Sequence, residues 1–154
     1  MKRVLVILMI AVFLAVSARA QDTEGVKPPE GAVVRFSSVD VYVDSGEKPL
    51  AAYQLELAVE VGDVKIVGIE GGEHAAFKEP PYYDPSAIRR DHVILAAFST
   101  DTQLPKGNTR VARIHVQITG DVQPQYAVKL NVAASTDANK ISAKVSITPE
   151  GGAK

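Results

Sequence analysis

A tyrosine pair enclosed by prolines is the clearest candidate binding element of this sequence. Residues 79–85 read EPPYYDP, so two prolines precede Tyr82 and Tyr83, and one follows Asp84. Proline restricts the backbone, and rigid tyrosines on an exposed loop give a large contact area at a small cost in entropy. We therefore predict that Tyr82, Tyr83 and Asp84 bind a ligand or partner. The alternative is that one or both tyrosines fold back over the open end of the domain.

Acidic residues surround the tyrosine pair and raise the question of a metal site. Carboxylates are calcium ligands, but no D-x-D-type spacing of a calcium loop occurs here. The three histidines form no H-x-H or H-x-x-x-H pair of the kind that binds zinc. We predict a solvated acidic loop with neither metal nor cofactor. The residues considered are Glu70, Glu73, His74, Glu79, Asp84, Asp91, His92 and His115.

Motifs for catalysis are missing from the sequence. It has no G-x-S-x-G nucleophile elbow and no glycine-rich phosphate loop. It also has no cysteine, which excludes thiol catalysis, cysteine-ligated zinc and iron–sulfur clusters. Among 18 acidic residues some pair of carboxylates is always available, so acid–base chemistry has no specific signal. We predict no catalytic residue and no enzyme activity.

The first twenty residues have the three parts of a secretory signal. Lys2 and Arg3 give a positive start, Val4 to Val16 form an apolar run, and Ala18 and Ala20 supply the small residues that a signal peptidase recognises. The sequence therefore predicts a signal helix at 1–20, cleavage after Ala20, and a secreted or periplasmic protein. A signal-anchor or an ordinary buried helix is the alternative.

The net charge of the domain excludes some classes of binding partner. The predicted cleavage removes three basic residues, Lys2, Arg3 and Arg19, so the remaining domain has a net negative charge. Binding to nucleic acid or to an anionic membrane requires clustered lysine and arginine, which this domain lacks. We therefore expect no nucleic-acid partner, and no membrane contact after cleavage.

Apolar and polar residues alternate through most of the domain, as in strands with one buried face. Residues 51–61 show this best, and residues 39–43, 126–132 and 141–147 follow the same pattern. Residues 33–36 are predicted to form a preceding strand, and residues 64–69 are a short apolar stretch after the turn at Gly62 and Asp63. In residues 110–119 Arg110 falls on the apolar face, and Val111 is the apolar exception on the polar face. Residues 93–98 (VILAAF) are apolar on both faces, which predicts a central strand covered on both sides.

About eight such strands joined by short turns predict an all-β fold, a two-sheet antiparallel β-sandwich, with a closed barrel as the alternative. A bend or bulge at Ser37 and Ser38 separates the first two strands. Gly71 to Asp91 is the one long connection, of a length that is usually functional or flexible. The predicted organisation is a signal at 1–20, a flexible leader at 21–30, the sandwich at 31–148 and a loose tail at 149–154.

Four stretches together resemble the cohesin-like branch of the carbohydrate-binding-module (cohesin/CBM) superfamily. They are residues 50–57 (LAAYQLEL), 64–72 (VKIVGIEGG), 93–98 (VILAAF) and 107–116 (GNTRVARIHV), and the turn at 134–141 is also similar. The resemblance implies a jelly-roll sandwich of about nine strands. The family often has an aspartate–proline step where this chain has Val61 and Gly62, and family cohesins usually occur as repeated modules.

These observations favour an exported, non-enzymatic module for protein–protein interaction, a cohesin-like scaffold or adaptor domain. The expected partner is another exported protein, and the resemblance makes a dockerin-like protein one candidate. The alternative is a carbohydrate-binding domain that binds a polysaccharide, against which the absence of tryptophan counts.

Overall fold

A computed structural model describes residues 31–150. The predicted signal at 1–20, the predicted leader at 21–30 and residues 151–154 of the predicted tail lie outside this range. The strands of the described range are Val34–Asp44 (β1), Ala52–Val61 (β2), Asp63–Gly71 (β3), His92–Phe98 (β4), Asn108–Thr119 (β5), Gln125–Ala134 (β6) and Lys144–Pro149 (β7). Two short 3-10 helices, Ala75–Phe77 and Pro85–Ala87, lie in the connection between β3 and β4.

The strands form two antiparallel sheets. One sheet has the order β3-β5-β1-β7 and the other the order β4-β2-β6. Consecutive strands alternate between the two sheets, so each connection crosses from one layer to the other. The predicted two-sheet antiparallel β-sandwich is confirmed. No ladder joins the two sheets within residues 31–150, and the closed-barrel alternative is therefore wrong.

The core lies between the inner faces of the sheets and follows from the period-two pattern. In β2 the side chains of Tyr53, Leu55 and Leu57 are buried, while the residues between them face outward. Val39 and Val41 of β1 belong to the same apolar cluster in the opposite layer. Burial of each such aliphatic side chain contributes about 1.5–3 kcal/mol. Because the chain has no cysteine, packing and strand pairing must stabilise the fold without disulfides.

A bulge between β1 and β5 explains the irregular face of residues 110–119. Val41 pairs with Ala112 but Tyr42 pairs with Arg110, so Val111 is the extra residue. Val111 and Ala112 are both fully buried. A bulge places two residues of one strand opposite one residue of its partner, which shifts the alternation. Arg110 therefore lies on the outer face rather than on the apolar face that the sequence predicted.

Two other strand predictions are wrong in detail. The predicted bend or bulge at Ser37 and Ser38 does not separate two strands, because β1 runs continuously from Val34 to Asp44 and its pairing with β5 shifts only after Val41. Residues 93–98 were predicted to form a central strand covered on both faces, but β4 is an end strand of the three-stranded sheet. Its inner residues Val93 and Leu95 are buried, whereas Ile94 and Phe98 are exposed on the outer face.

The part of the chain that the structure describes contains no helix long and apolar enough to cross a membrane.

Candidate functional site

The outer face of the β4-β2-β6 sheet carries an uncovered apolar surface. Phe98 of β4 lies opposite Ala52 of β2, and four residues along the same face Ile94 lies opposite Glu56. Phe98 is 65% exposed and Ile94 is 45% exposed. These side chains point outward because their sequence neighbours fill the core, and the strand period is two. The sheet thus holds large apolar groups in water on a rigid backbone.

Tyr82 joins this surface from the long connection. Its backbone N–H donates to Ala96 O at 2.7 Å, and its C=O accepts from Ala96 N at 2.9 Å. This single bridge adds Tyr82 to the free edge of β4 and places its ring beside Phe98. The two ring centroids are 6.3 Å apart and the ring planes differ by 11°. Tyr82 remains 71% exposed. We call Tyr82, Phe98 and Ile94 the aromatic patch.

Close packing at the start of the connection fixes the position of Tyr82. Gly72 N donates to Phe77 O, and the buried ring of Phe77 contacts Tyr53 edge-on at a centroid distance of 5.3 Å. A Cβ on Gly71 would lie 2.0 Å from Lys78 O, so only glycine allows the chain to pass here. The loop that carries Tyr82 is therefore packed onto the sandwich.

The three residues predicted from the tyrosine motif have different surroundings. Tyr82 belongs to the aromatic patch. Tyr83 is partly buried and packs against the core cluster. Asp84 caps the second 3-10 helix, since its carboxylate accepts from Ser86 N at 2.8 Å and from Ser86 Oγ at 2.7 Å. These hydrogen bonds with Ser86 lower the pKa of Asp84. The structure therefore separates the exposed Tyr82 from two neighbours with local structural contacts.

Charged groups border the aromatic patch on one side. Glu56 Oε1 lies 2.7 Å from His92 Nε2, and Lys129 of β6 is the strand partner of Glu56. The hydrogen bond with His92 is the main cause that lowers the pKa of Glu56. Val132 of β6 is also exposed on this sheet and continues its apolar surface. The outer face is thus apolar at one end and charged at the other.

Sequence reasoning missed Phe98 and Ile94. The signal was present, because residues 93–98 are apolar on both faces. That pattern was interpreted as burial on both sides, whereas in an end strand it marks exposed apolar residues. Pattern alone does not tell a covered face from an uncovered one.

The histidine and glutamate side chains considered for a metal site make contacts with neighbouring residues instead. His74 Nδ1 accepts from Ala76 N at the start of the first 3-10 helix, and Glu73 Oε1 accepts from Arg110 N. His115 Nε2 lies 2.9 Å from Glu70 Oε1. Within residues 31–150 no three His, Cys, Asp or Glu side chains are grouped closely enough to hold a metal ion.

The outer face of the four-stranded sheet differs in character. Asp40 accepts from Arg113 Nε at 2.7 Å, from Arg113 NH2 at 2.8 Å, and from Arg110 NH1 at 3.2 Å. Hydrogen bonding by Arg113 is the main cause that holds the pKa of Asp40 below its usual range. The bulge described above makes this arrangement, because it turns Arg110 toward Asp40.

Comparison with protein-family models, with curated proteins and with solved structures finds no match to this chain.

Proposed function

We propose that this protein is an exported, non-enzymatic binding module that binds another exported protein through the outer face of the β4-β2-β6 sheet. The observation that carries the proposal is the aromatic patch, in which the exposed rings of Tyr82 and Phe98 stack and Ile94 is exposed on the same face of β4. Contiguous exposed apolar groups bordered by polar residues are typical of interaction sites.

The construction of the patch suits protein binding. Aromatic side chains are frequent among the residues that dominate binding energy, and a rigid sheet leaves little conformational freedom to lose on association. The polar residues Glu56, His92 and Lys129 supply a rim on one side. The partner surface that fits is therefore apolar at its centre, with hydrogen-bonding or charged groups on the side that meets this rim.

The proposed class of protein is a cohesin-like adaptor domain. The four sequence stretches and the antiparallel sandwich support it, and they make a dockerin-like protein the first partner to try. The seven strands of the described residues are fewer than the nine or so that the resemblance implies. The export signal, on which the choice of an exported partner depends, is supported by residues 1–20 of the sequence.

A polysaccharide is the second candidate ligand, and one observation favours it. The rings of Tyr82 and Phe98 are nearly parallel, with planes that differ by 11°. Parallel exposed rings on a sheet can stack against successive sugar units. The tyrosine hydroxyl and the nearby Gln54 could add hydrogen bonds, since Gln54 pairs with Ala96 on the same face.

The experiment compares two double variants, one in the aromatic patch and one outside it. Tyr82→Ala with Phe98→Ala removes the aromatic patch, and Val67→Ala with Val122→Ala removes two exposed apolar side chains elsewhere. Immobilised wild-type and variant proteins are incubated with proteins exported by the source organism, and each captured protein is purified and titrated directly. The proposal expects one captured protein whose affinity falls at least about tenfold in the patch variant only.

The same proteins are run through gels that contain polysaccharides. Retardation that is lost only in the patch variant would favour the polysaccharide over the protein partner. Capture that is equal in all three proteins, with no retardation in any gel, would overturn both candidates.

A further inference from the structure

A cavity lies beside the aromatic patch, between the long connection and β4. Its volume is about 200 Å³, and it is partly open to solvent. Its walls are Asp84, Ser86, Ala87 and Arg90 of the connection together with residues 92–94 of β4. Neighbouring side chains of a strand point to opposite faces, so a cavity that touches three consecutive residues lies along the edge of the strand. The cavity therefore opens onto the free edge of β4.

Backbone groups of Ile94 face this edge. Tyr82 and Ala96 exchange two hydrogen bonds here, from Tyr82 N to Ala96 O at 2.7 Å and from Ala96 N to Tyr82 O at 2.9 Å. In an antiparallel ladder, alternate residues point their N–H and C=O groups to the same edge. Ile94 is two residues from Ala96, so its N–H and C=O point the same way. Within residues 31–150 no loop residue forms a backbone hydrogen bond with them.

The chain itself closes the edge on both sides of the cavity. Tyr82 occupies the position opposite Ala96, and Asp91 O accepts from Val59 N at 2.9 Å where the connection enters β4. Between these points only residues 92–94 remain, a span of roughly 7 Å at 3.4 Å per residue. A strand of another protein cannot run along so short an edge, but the end of a chain can enter it.

The cavity is built by one continuous stretch of the chain, residues 84–94. Both ends of the described range pair with the other sheet instead. Near the first end Gly120 N donates to Val33 O, and at the last residue Glu150 N donates to Ser38 O. The cavity is thus bounded by described residues on each side along the edge of β4.

Arg90 supplies a cation to the cavity wall. Its backbone position is fixed, because its N–H donates to Ala87 O at 3.0 Å and its C=O accepts from Ile66 N at 2.8 Å. Arg89 before it has a φ of 73°, a conformation that is uncommon for residues other than glycine. No carboxylate of residues 31–150 lies within ion-pair distance of the Arg90 guanidinium. Its N–H donors are therefore available to an anionic group in the cavity.

Asp84 is the acidic group of the same cavity, and its hydrogen bonds are local. Its carboxylate accepts from Ser86 N at 2.8 Å and from Ser86 Oγ at 2.7 Å. These bonds are the main cause that lowers the pKa of Asp84, and the charge of Arg90 adds to them. The cavity thus combines an engaged acceptor, unengaged N–H donors and apolar wall residues such as Ala87, which suits a carboxylate carried on an apolar residue.

We propose that this cavity binds the C-terminal residue of the partner protein, an inference that rests on the function proposed above. The N–H of that residue donates to Ile94 O, and its carboxylate accepts from Ile94 N and from Arg90. This repeats at Ile94 the exchange that Tyr82 makes with Ala96. A chain end that lies antiparallel to β4 points its carboxylate toward Arg90, and the residues before it lead back over Tyr82.

Size and position fit a single terminal residue. A volume of 200 Å³ equals that of about seven water molecules at 30 Å³ each, which is less than the pockets of drug-sized ligands need. Ile94 belongs both to the cavity and to the aromatic patch. A partner that covers the patch therefore brings its chain to the mouth of the cavity.

The probe is the tripeptide N-acetyl-phenylalanyl-alanyl-leucine, used with a free C-terminal carboxylate and as its C-terminal amide. NMR of the ¹⁵N-labelled protein follows each backbone N–H signal as either peptide is added to about 20 mM. We expect the free carboxylate to shift the Ile94 signal, and the amide to bind at least about tenfold more weakly. Equal binding of the two forms, or an Ile94 signal that does not move, would overturn the inference.

Two arginine variants test the cation. Arg90→Gln should weaken binding of the free carboxylate at least about tenfold. Arg89→Gln is the matched control, because it removes the same charge from an exposed neighbour outside the cavity wall, and it should leave binding unchanged. Thermal melting checks that both variants remain folded. A tripeptide amide that ends in glutamate tests the source of the carboxylate. If it binds as tightly as the free carboxylate, the cavity recognises acidic side chains and the inference is wrong.

The outcomes separate this inference from the proposed function. If Tyr82→Ala with Phe98→Ala abolishes capture of an exported protein while the tripeptide does not bind, only the inference about the chain end fails. If the tripeptide binds at Ile94 while the patch variant captures exported proteins as well as the wild type does, the proposed function fails. With both correct, Arg90→Gln weakens the captured protein at least about tenfold as well.

Discussion

The two sheets of this sandwich expose very different outer faces. On the four-stranded sheet, Asp40 is held by Arg110 and Arg113, and the charged groups satisfy one another within the chain. On the three-stranded sheet, Tyr82 and Phe98 stack on each other and are otherwise left to water. The charged groups around Asp40 thus find their partners within the chain, although Phe36 on the same sheet is also exposed, whereas the two stacked rings of the other sheet remain in contact with water.

This difference follows from how each face is assembled. The ion pairs of the four-stranded sheet join residues of adjacent strands and depend on a bulge that redirects Arg110. The aromatic patch joins a strand residue, Phe98, to a loop residue, Tyr82, through a single backbone bridge. Substitutions on the first face should therefore affect stability, and those on the patch should affect binding.

The largest expected effect comes from the glycine that positions the patch loop. In Gly71→Ala the new Cβ would lie 2.0 Å from Lys78 O and 2.5 Å from Glu79 O, so the loop must move. We expect a loss of about 3 kcal/mol in the free energy of unfolding, measured with urea. Amide hydrogen exchange should show faster exchange of the Tyr82 and Ala96 N–H groups.

Gly68→Ala is the control for this substitution. A Cβ at Gly68 meets only His115, at an ordinary contact distance of 3.6 Å. Equal losses of stability in the Gly68 and Gly71 variants would show that close approach of the loop is not what fixes Tyr82.

The next largest loss of stability is expected from truncation of Tyr83 in the tyrosine pair. Tyr83→Ala removes a ring that packs against the core, and we expect a loss of about 1–2 kcal/mol of stability. Tyr82→Ala should change stability by less than about 0.5 kcal/mol, because the ring is exposed and the backbone bridge remains. Thermal melting of both variants measures the difference. A larger loss for Tyr82 than for Tyr83 would contradict the division between patch and core.

Most strands were predictable from the period-two pattern, because a strand with one buried face must alternate apolar and polar residues. The sequence located β2 and the inner residues of β5 beyond Ala112, and it identified the connection that carries Tyr82. It could not locate the bulge at Val111, since an extra residue depends on how the partner strand is aligned. Nor could it separate Tyr82 from Tyr83, because which ring faces the core depends on the bridge to Ala96.

Phe98 of the aromatic patch shows a second limit of prediction from the sequence. Its apolar pattern was visible, but the order of strands in the sheet decides whether such a residue is covered. Strand order depends on contacts between residues far apart in sequence, and local pattern does not encode them. The same limit applies to Asp40, whose partners lie about seventy residues away along the chain.

Substitution of Asp40 should give an effect of similar size, and Glu56 on the other outer face provides the comparison. Asp40→Asn loses the bond that Oδ2 accepts from Arg113 and removes the charge that strengthens the two bonds to Oδ1, at a part-buried position, so we expect a loss of about 1–2 kcal/mol. Glu56→Gln, on an exposed pair with His92, should leave the melting temperature unchanged. Urea unfolding of both variants at neutral pH makes the comparison, and equal losses would show that the two faces are stabilised alike.

The smallest effect is the acid dependence that Asp40 adds to stability. The arginines lower the pKa of Asp40 in the folded state below its unfolded value of about 3.9. Its stabilisation is therefore complete above that value and is lost as pH falls through the folded pKa. Asp40→Asn lacks this contribution, while shifts at Glu56, Asp84 and Asp137 occur in both proteins and cancel. The difference in unfolding free energy between wild type and Asp40→Asn should thus be constant from about pH 7 to 5 and shrink below about pH 4. A difference that stays constant into strong acid would mean that the Asp40 carboxylate charge does not stabilise the four-stranded face.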